Sequence, residues 1–109
     1  MPQDGAQNQA LDVVRQIFVM ANQGRLSYGD LSTVAKVFID AKNYGMAQHL
    51  YKTWISNTPS PMAYIVYADY GDALVGGGDI QGAREAYQRS LQLNGAFERA
   101  RLALAKLLA

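Results

Sequence analysis

Two stretches of the chain repeat one another at an offset of 36 residues. Leu31, Val34, Ala35, Phe38, Tyr44, Ala47, Tyr51 and Ile55 recur as Tyr67, Tyr70, Gly71, Leu74, Ile80, Ala83, Tyr87 and Leu91. Bulky positions stay bulky and small ones stay small. A period of this length marks a supersecondary unit that cannot bury its apolar face alone and stacks on its neighbours. Proteins built this way work through an extended surface, so the repeat points to a binding module.

The spacing of apolar residues within the repeat is helical, and six helices account for nearly the whole chain. The first is expected over about 7–23, with Leu11, Val14, Ile17, Phe18 and Ala21 along one face and Gly24 as a left-handed stop. Ser27 caps the second, and Asp30 three residues on completes a capping-box pattern. That helix reaches about Ala41, and a third follows over about 44–57. In Ser56-Asn-Thr-Pro-Ser-Pro, the last serine and proline read as a cap followed by proline at the first helical position, giving a fourth helix over about 61–75. Gly76-Gly77-Gly78 is expected to make a loose turn. Asp79 caps a fifth helix over about 80–93, Asn94-Gly95 closes it, and a sixth starts near Phe97. No segment alternates apolar and polar residues as a half-buried strand does. Short connections between helices of this length bring neighbours together antiparallel, so the expected fold is all-α, a stack of helical hairpins.

The residue types resemble the tetratricopeptide repeat, whose unit is roughly 34 residues long. The first unit supplies Leu31, Val34-Ala35 and Phe38, then Ala47, Tyr51, Trp54-Ile55 and Pro59. The second supplies Tyr67, Tyr70-Gly71 and Leu74, then Ala83, Tyr87, Ser90-Leu91 and Gly95. Leu104-Ala105 and Leu108 match the first helix of a third unit. The helix at 7–23 takes the slot of a second helix, with Val13, Ile17, Met20 and Ala21 at its core positions. Three departures stand out: Trp54 fills a slot usually held by a small residue, Gly95 replaces a closing proline, and two extra residues separate the units. The resemblance implies one domain folded as a short right-handed solenoid, with an N-terminal helix in 1–27, repeats at 28–61 and 62–97, and a capping or truncated repeat helix at 98–109. A fainter similarity links 31–104 to the helical repeats that precede the catalytic region of bacterial O-linked N-acetylglucosaminyltransferase-like proteins. It rests on Tyr70-Gly-Asp-Ala-Leu74, the Gly78–Ala83 turn and Arg99-Ala-Arg-Leu-Ala-Leu104.

Composition narrows the chemistry. Ten Lys+Arg against nine Asp+Glu leave a formal charge of +1 and no basic stripe, so nucleic acid is not an expected partner. There is no cysteine and a single histidine, His49, which excludes thiolate metal sites and argues against a catalytic metal. Without a signal-peptide pattern or an apolar run near the ~20 residues a bilayer needs, no membrane association is expected and the chain reads as cytoplasmic. His49 two residues past Ala47 reads as a surface histidine, and a nucleophile–base pairing with Ser56 or Ser60 lacks a nucleophile-elbow context. Gly76–Gly78 has neither the strand before it nor the Lys-Ser/Thr after it that a phosphate loop requires. Asp69 and Asp72, three apart on one helix, read as a solvated stripe rather than a carboxylate pair for acid–base work. No enzyme and no cofactor is expected within these residues.

In the repeat family the first helices line the concave face. The spacing places Ser32, Lys36, Ile39 and Asp40 there from the first unit, Ile65, Ala68, Asp69, Asp72 and Val75 from the second, and Arg99, Leu102 and Lys106 after them. Apolar centres beside charges of both signs suit a peptide or a partner helix. The Asn-Lys-Arg set that clamps the carboxylate of chaperone tails is absent. The expected function is therefore a non-catalytic protein–protein interaction module. The alternative is a docking or oligomerisation segment of a larger enzyme such as a protein O-glycosyltransferase. The Leu/Ala-rich last helix motivates it, because that helix could pair with another copy of the chain.

Overall fold

Helix boundaries follow from the chemistry of the breaks. The computed structural model describes residues 2–109, with side-chain environments from residue 9 onward. These residues form α1 (Pro2–Asn22), α2 (Tyr28–Asp40), α3 (Tyr44–Asn57), α4 (Ala63–Gly76), α5 (Ile80–Leu93) and α6 (Glu98–Leu108), with no strand among them. Gly24 takes φ +69°, a conformation that costs a side-chain-bearing residue about 1 kcal/mol or more, and so turns the chain out of α1. Ser27 Oγ accepts from the Asp30 N–H, Asn43 Oδ1 from Met46 N–H and Asp79 Oδ1 from Gly82 N–H, each meeting one of the donors a helix start leaves free.

Two boundaries differ from expectation. α1 starts at Pro2, earlier than periodicity indicates. α4 starts at Ala63 and not at Pro61, because Ser60 Oγ accepts from Met62 N–H and its carbonyl from Ala63 N–H. The serine is spent on a local turn that contains the proline, and α4 begins without a side-chain cap.

The helices form an elongated array of 52 × 28 × 17 Å. From α2 on, each helix packs against the next, and α1 packs on α3. Connections at 41–43 and 77–79 reverse the chain between packed helices, making α2–α3 and α4–α5 hairpins. The two loops share a conformation: Lys42 and Gly78, 36 residues apart, both take positive φ.

Ala35, Ala47, Gly71 and Ala83 are all buried, as the small positions of the repeat require. At Gly71 a β-carbon would lie 2.6 Å from Tyr87 Cε1, so α4 and α5 approach at a distance that only glycine allows. Gly76 seats directly against the Tyr44 ring, and Gln48 Nε2 donates to the Ala73 carbonyl at 3.0 Å, so α4 also meets α3 closely. The Gly76–Gly78 segment is thus not the loose turn its composition implies; its first residues are packed against α3. One repeat slot also carries a tether. Trp54, 2% exposed, donates from Nε1 to the Leu26 carbonyl at 2.7 Å, and Ser90 at the matching position donates from Oγ to the Tyr64 carbonyl at 2.6 Å. Each ties the second helix of a hairpin back to the start of the first.

The apolar seam divides into two clusters. One unites Ala21, Leu26, Leu31, Ala35, Ala47, Leu50, Tyr51, Trp54, Val66 and Ala73; the other unites Ala68, Leu74, Ala83, Ala86, Tyr87 and Ala100. Tyr70 touches both. α1 contributes Ala21, with Ile17 and Phe18 packed beside it, but Leu11 and Val13 are each 59% exposed and Met20 36%. These three residues, expected in the core, lie outside it because α1 has only α3 as a substantial neighbour.

Gly71→Ala should destabilise the domain by about 1–3 kcal/mol, because the Tyr87 ring is buried and its hydroxyl is held by Asp72. Gly45→Ala, where no atom lies within 4 Å of the added carbon, should stabilise it by about 0.4–1 kcal/mol. Urea denaturation followed by circular dichroism measures both, and equal effects of the two changes would contradict this packing.

Candidate functional site

α4 and α6 are joined by a polar knot. Arg99 on α6 reaches across to α4, its Nη2 2.6 Å from Asp69 Oδ1 and 2.6 Å from Asp72 Oδ2. Tyr87 on α5 donates its hydroxyl to the other Asp72 oxygen at 2.5 Å. One guanidinium and one phenol therefore hold two carboxylates from three helices. The helical spacing of 69 and 72 puts both aspartates on the same face of α4, and the close α4–α5 approach at Gly71 carries the Tyr87 hydroxyl to Asp72.

This corrects the expectation of a solvated acidic stripe. The Asp69 side chain is only 19% exposed. Burial pushes its carboxyl above the ordinary aspartate range, against the pull of the Arg99 hydrogen bond and charge. Burial works to lower the Arg99 guanidinium, but its bonds to Asp72 and Asp69 outweigh that and hold it firmly charged. The Tyr87 phenol is raised well beyond the usual tyrosine range, first by burial and then by its bond to Asp72. Burial and the nearby negative charge of Asp69 do the same to Tyr51.

Beside the knot lies an open cleft of about 590 Å³, lined by Asp72 and Val75 of α4, Tyr87 of α5, and Glu98, Arg99, Leu102, Ala103, Lys106 and Leu107 of α6. Its surface is mainly apolar, with Val75 38% and Leu102 55% exposed. Charge sits at its rim. Two carboxylates face Arg99, leaving an excess of negative charge there, whereas Lys106 has no ion-pair partner among the described residues.

Of the residues expected on the concave face, Asp72, Val75, Arg99, Leu102 and Lys106 come together in this cleft, and Asp69 braces it from behind. The others do not join it. Ala68 is fully buried in the second core cluster, because the α4 face it occupies is turned toward α5 and α6. Ile39 packs against the first cluster, and Ile65 is half-buried. Lys36 and Asp40 pair with each other on the exposed surface of α2 at 3.1 Å. Tyr64 is half-buried, edge-on to Phe97 at 4.9 Å between ring centres. Sequence reasoning missed Tyr87, Glu98, Ala103 and Leu107 as lining residues, although Glu98 shares the i, i+4 row of Leu102 and Lys106, and Ala103 and Leu107 continue that of Arg99.

A second, more polar hollow of about 330 Å³ is lined by Asn22, His49, Lys52, Thr53, Ser56 and Asn57. His49 and Ser56 both border it, but the exposed imidazole lies flat on Phe18, ring centres 4.9 Å apart. The described residues contain no group of three or more His, Cys, Asp or Glu placed to hold a metal ion, and no helix long and apolar enough to cross a membrane. No family model, no curated protein and no solved structure matches the chain.

Asp69 should titrate above the ordinary aspartate range, and Arg99→Gln should move it higher still, as read by carboxyl-carbon NMR. Because the folded carboxyl keeps its proton to a higher pH than the unfolded one, the folded state binds more protons between the two values. The Asp69 contribution to stability therefore falls as pH rises through that window. A lower Asp69 value in Arg99→Gln would contradict the arrangement.

Proposed function

We propose that the chain is a tetratricopeptide-type, non-catalytic interaction module of the cytoplasm, a short right-handed solenoid that holds a peptide or partner helix in the cleft between α4 and α6. The observation that carries this reading is the cleft itself: a mainly apolar surface with Val75 and Leu102 exposed, and charged groups of both signs, Asp72 and Lys106 among them, in the same lining. The 36-residue period, the buried small residues at its matching positions and the close α4–α5 approach at Gly71 support the repeat assignment. The absence of cysteine agrees with a reducing compartment.

Free energy comes from covering Val75, Leu102 and Leu107, and direction from the charges. A basic residue of the ligand belongs beside Asp72 and an acidic one beside Lys106. The ionisable groups near the floor serve structure first: Asp69, Asp72, Arg99 and Tyr87 bind each other. Replacing both aspartates with lysine would break that knot as well as the recognition surface, so the clean test is on the floor.

Peptides selected from a displayed library against the domain should lose about tenfold or more in affinity, about 1.4 kcal/mol, on Leu102→Glu. Lys36→Glu on the exposed surface of α2 should leave them within about twofold. Fluorescence anisotropy reads both. Selected peptides that bind Leu102→Glu as tightly as the wild type would rule out the cleft.

A further inference from the structure

The polar hollow at the ends of α1 and α3 shares no residue with the cleft. His49, Lys52, Thr53 and Ser56 stand at i, i+3, i+4 and i+7 on one face of α3, and Asn22 joins them from the last turn of α1. Thr53 is the informative member. A threonine inside a helix can return its hydroxyl to the carbonyl four residues back, as Thr33 does to Gly29 at 3.0 Å. Thr53 is 9% exposed and lines the hollow, yet its hydroxyl bonds to no group among the described residues. A polar group so far withdrawn from water calls for a partner, and the hollow is where one can stand.

The groups around it are donors. The Lys52 ammonium, the Ser56 hydroxyl, the Asn22 amide and the His49 imidazole likewise form no hydrogen bond among the described residues. Lys52 has no ion-pair partner there, and no carboxylate lines the hollow. The carbonyls at the two helix ends work against an anion. At α1, however, Val19, Met20 and Ala21 already accept from the N–H groups of Gln23, Gly24 and Arg25. The end of α3 carries about half an elementary charge against the full charge of Lys52. The balance at the hollow is positive.

We propose that the hollow binds the phosphate group of a small monoester, with Lys52, Thr53 and Ser56 of α3 and Asn22 of α1 donating to its oxygens and His49 at its edge. A carboxylate accepts through two oxygens and leaves part of this donor set unused. A phosphate brings three terminal oxygens and a larger negative charge. At about 330 Å³ the hollow has the volume of about eleven waters, room for the phosphate and a small polar remainder. The proposal does not depend on peptide binding in the cleft.

An NMR titration at constant pH and ionic strength tests it. His49 is the only histidine, so its ring protons report on this hollow alone. Inorganic phosphate should move them, and the Lys52 and Ser56 amide signals, to saturation; glycerol phosphate should saturate them at lower concentration, and chloride should not move them. Lys52→Gln and Thr53→Val should each weaken phosphate binding by about tenfold, the loss of one hydrogen bond to a charged group. Lys36→Gln, on the exposed surface of α2, should leave it as it is. Ser56→Ala replaces Thr53→Val if that variant loses its helical circular dichroism. Shifts that never saturate, or that chloride reproduces, overturn the proposal. So does acetate binding as tightly as phosphate, or Lys52→Gln binding like the wild type. Glycerol phosphate binding more weakly than the free ion overturns the monoester.

Discussion

α4 must be apolar on two sides at once. Val66 and Ala73 enter the cluster shared with α1–α3, Ala68 and Leu74 enter the one shared with α5 and α6, and Tyr70 spans them. A helix with a single apolar stripe would cover one hairpin and abandon the other. The missing side chains serve the same end: Gly71 admits Tyr87 from α5 and Gly76 admits Tyr44 from α3. The joint between the α2–α3 and α4–α5 hairpins is the packing of this one helix on α3.

What α4 has left over after that packing is a narrow polar row, and the row is not free. Asp69 is mostly withdrawn from water, which disfavours its charge, and only a cation placed across from it makes the ionised form tolerable. Arg99 comes from α6, thirty residues on, and meets Asp72 as well. The bond from Tyr87 makes α5 a third party. An exposed ion pair contributes little to stability. A shared, half-buried one that joins three helices fixes how they sit, and the cleft lined by Val75 of α4 and Leu102 of α6 lies beside it.

Much of the helical layout was legible in the residues. α3 and α5 run where the caps and turns indicated, because Asn43 and Asp79 each accept from the third N–H and no rival partner competes. Ala47 and Ala83, small at matching positions of the repeat, are both fully buried. The start of α4 was misread because a Ser-Pro pair fits a helix cap and a turn equally well, and hydrogen bonding to Met62 decided for the turn. Periodicity also could not tell that α1 has one substantial neighbour, and so it assigned Leu11, Val13 and Met20 to a core that does not reach them. The ionic knot was least visible of all. Its members are separated by 27 and 30 residues, and spacing within a helix carries no signal of what crosses to another. For the same reason Ala68 read as surface, although α5 and α6 cover it.

The tether at Trp54 has a spectroscopic consequence. The chain has one tryptophan, held in the cluster around α1–α3 by its bond to Leu26, and none in the cluster around α5 and α6, which has Tyr87 instead. Indole emission thus watches one end of the stack alone, whereas the far-ultraviolet signal averages both. Any loosening confined to α5 and α6 passes unseen by fluorescence, so disagreement between the two probes is itself a readout of how tightly α4 couples the halves.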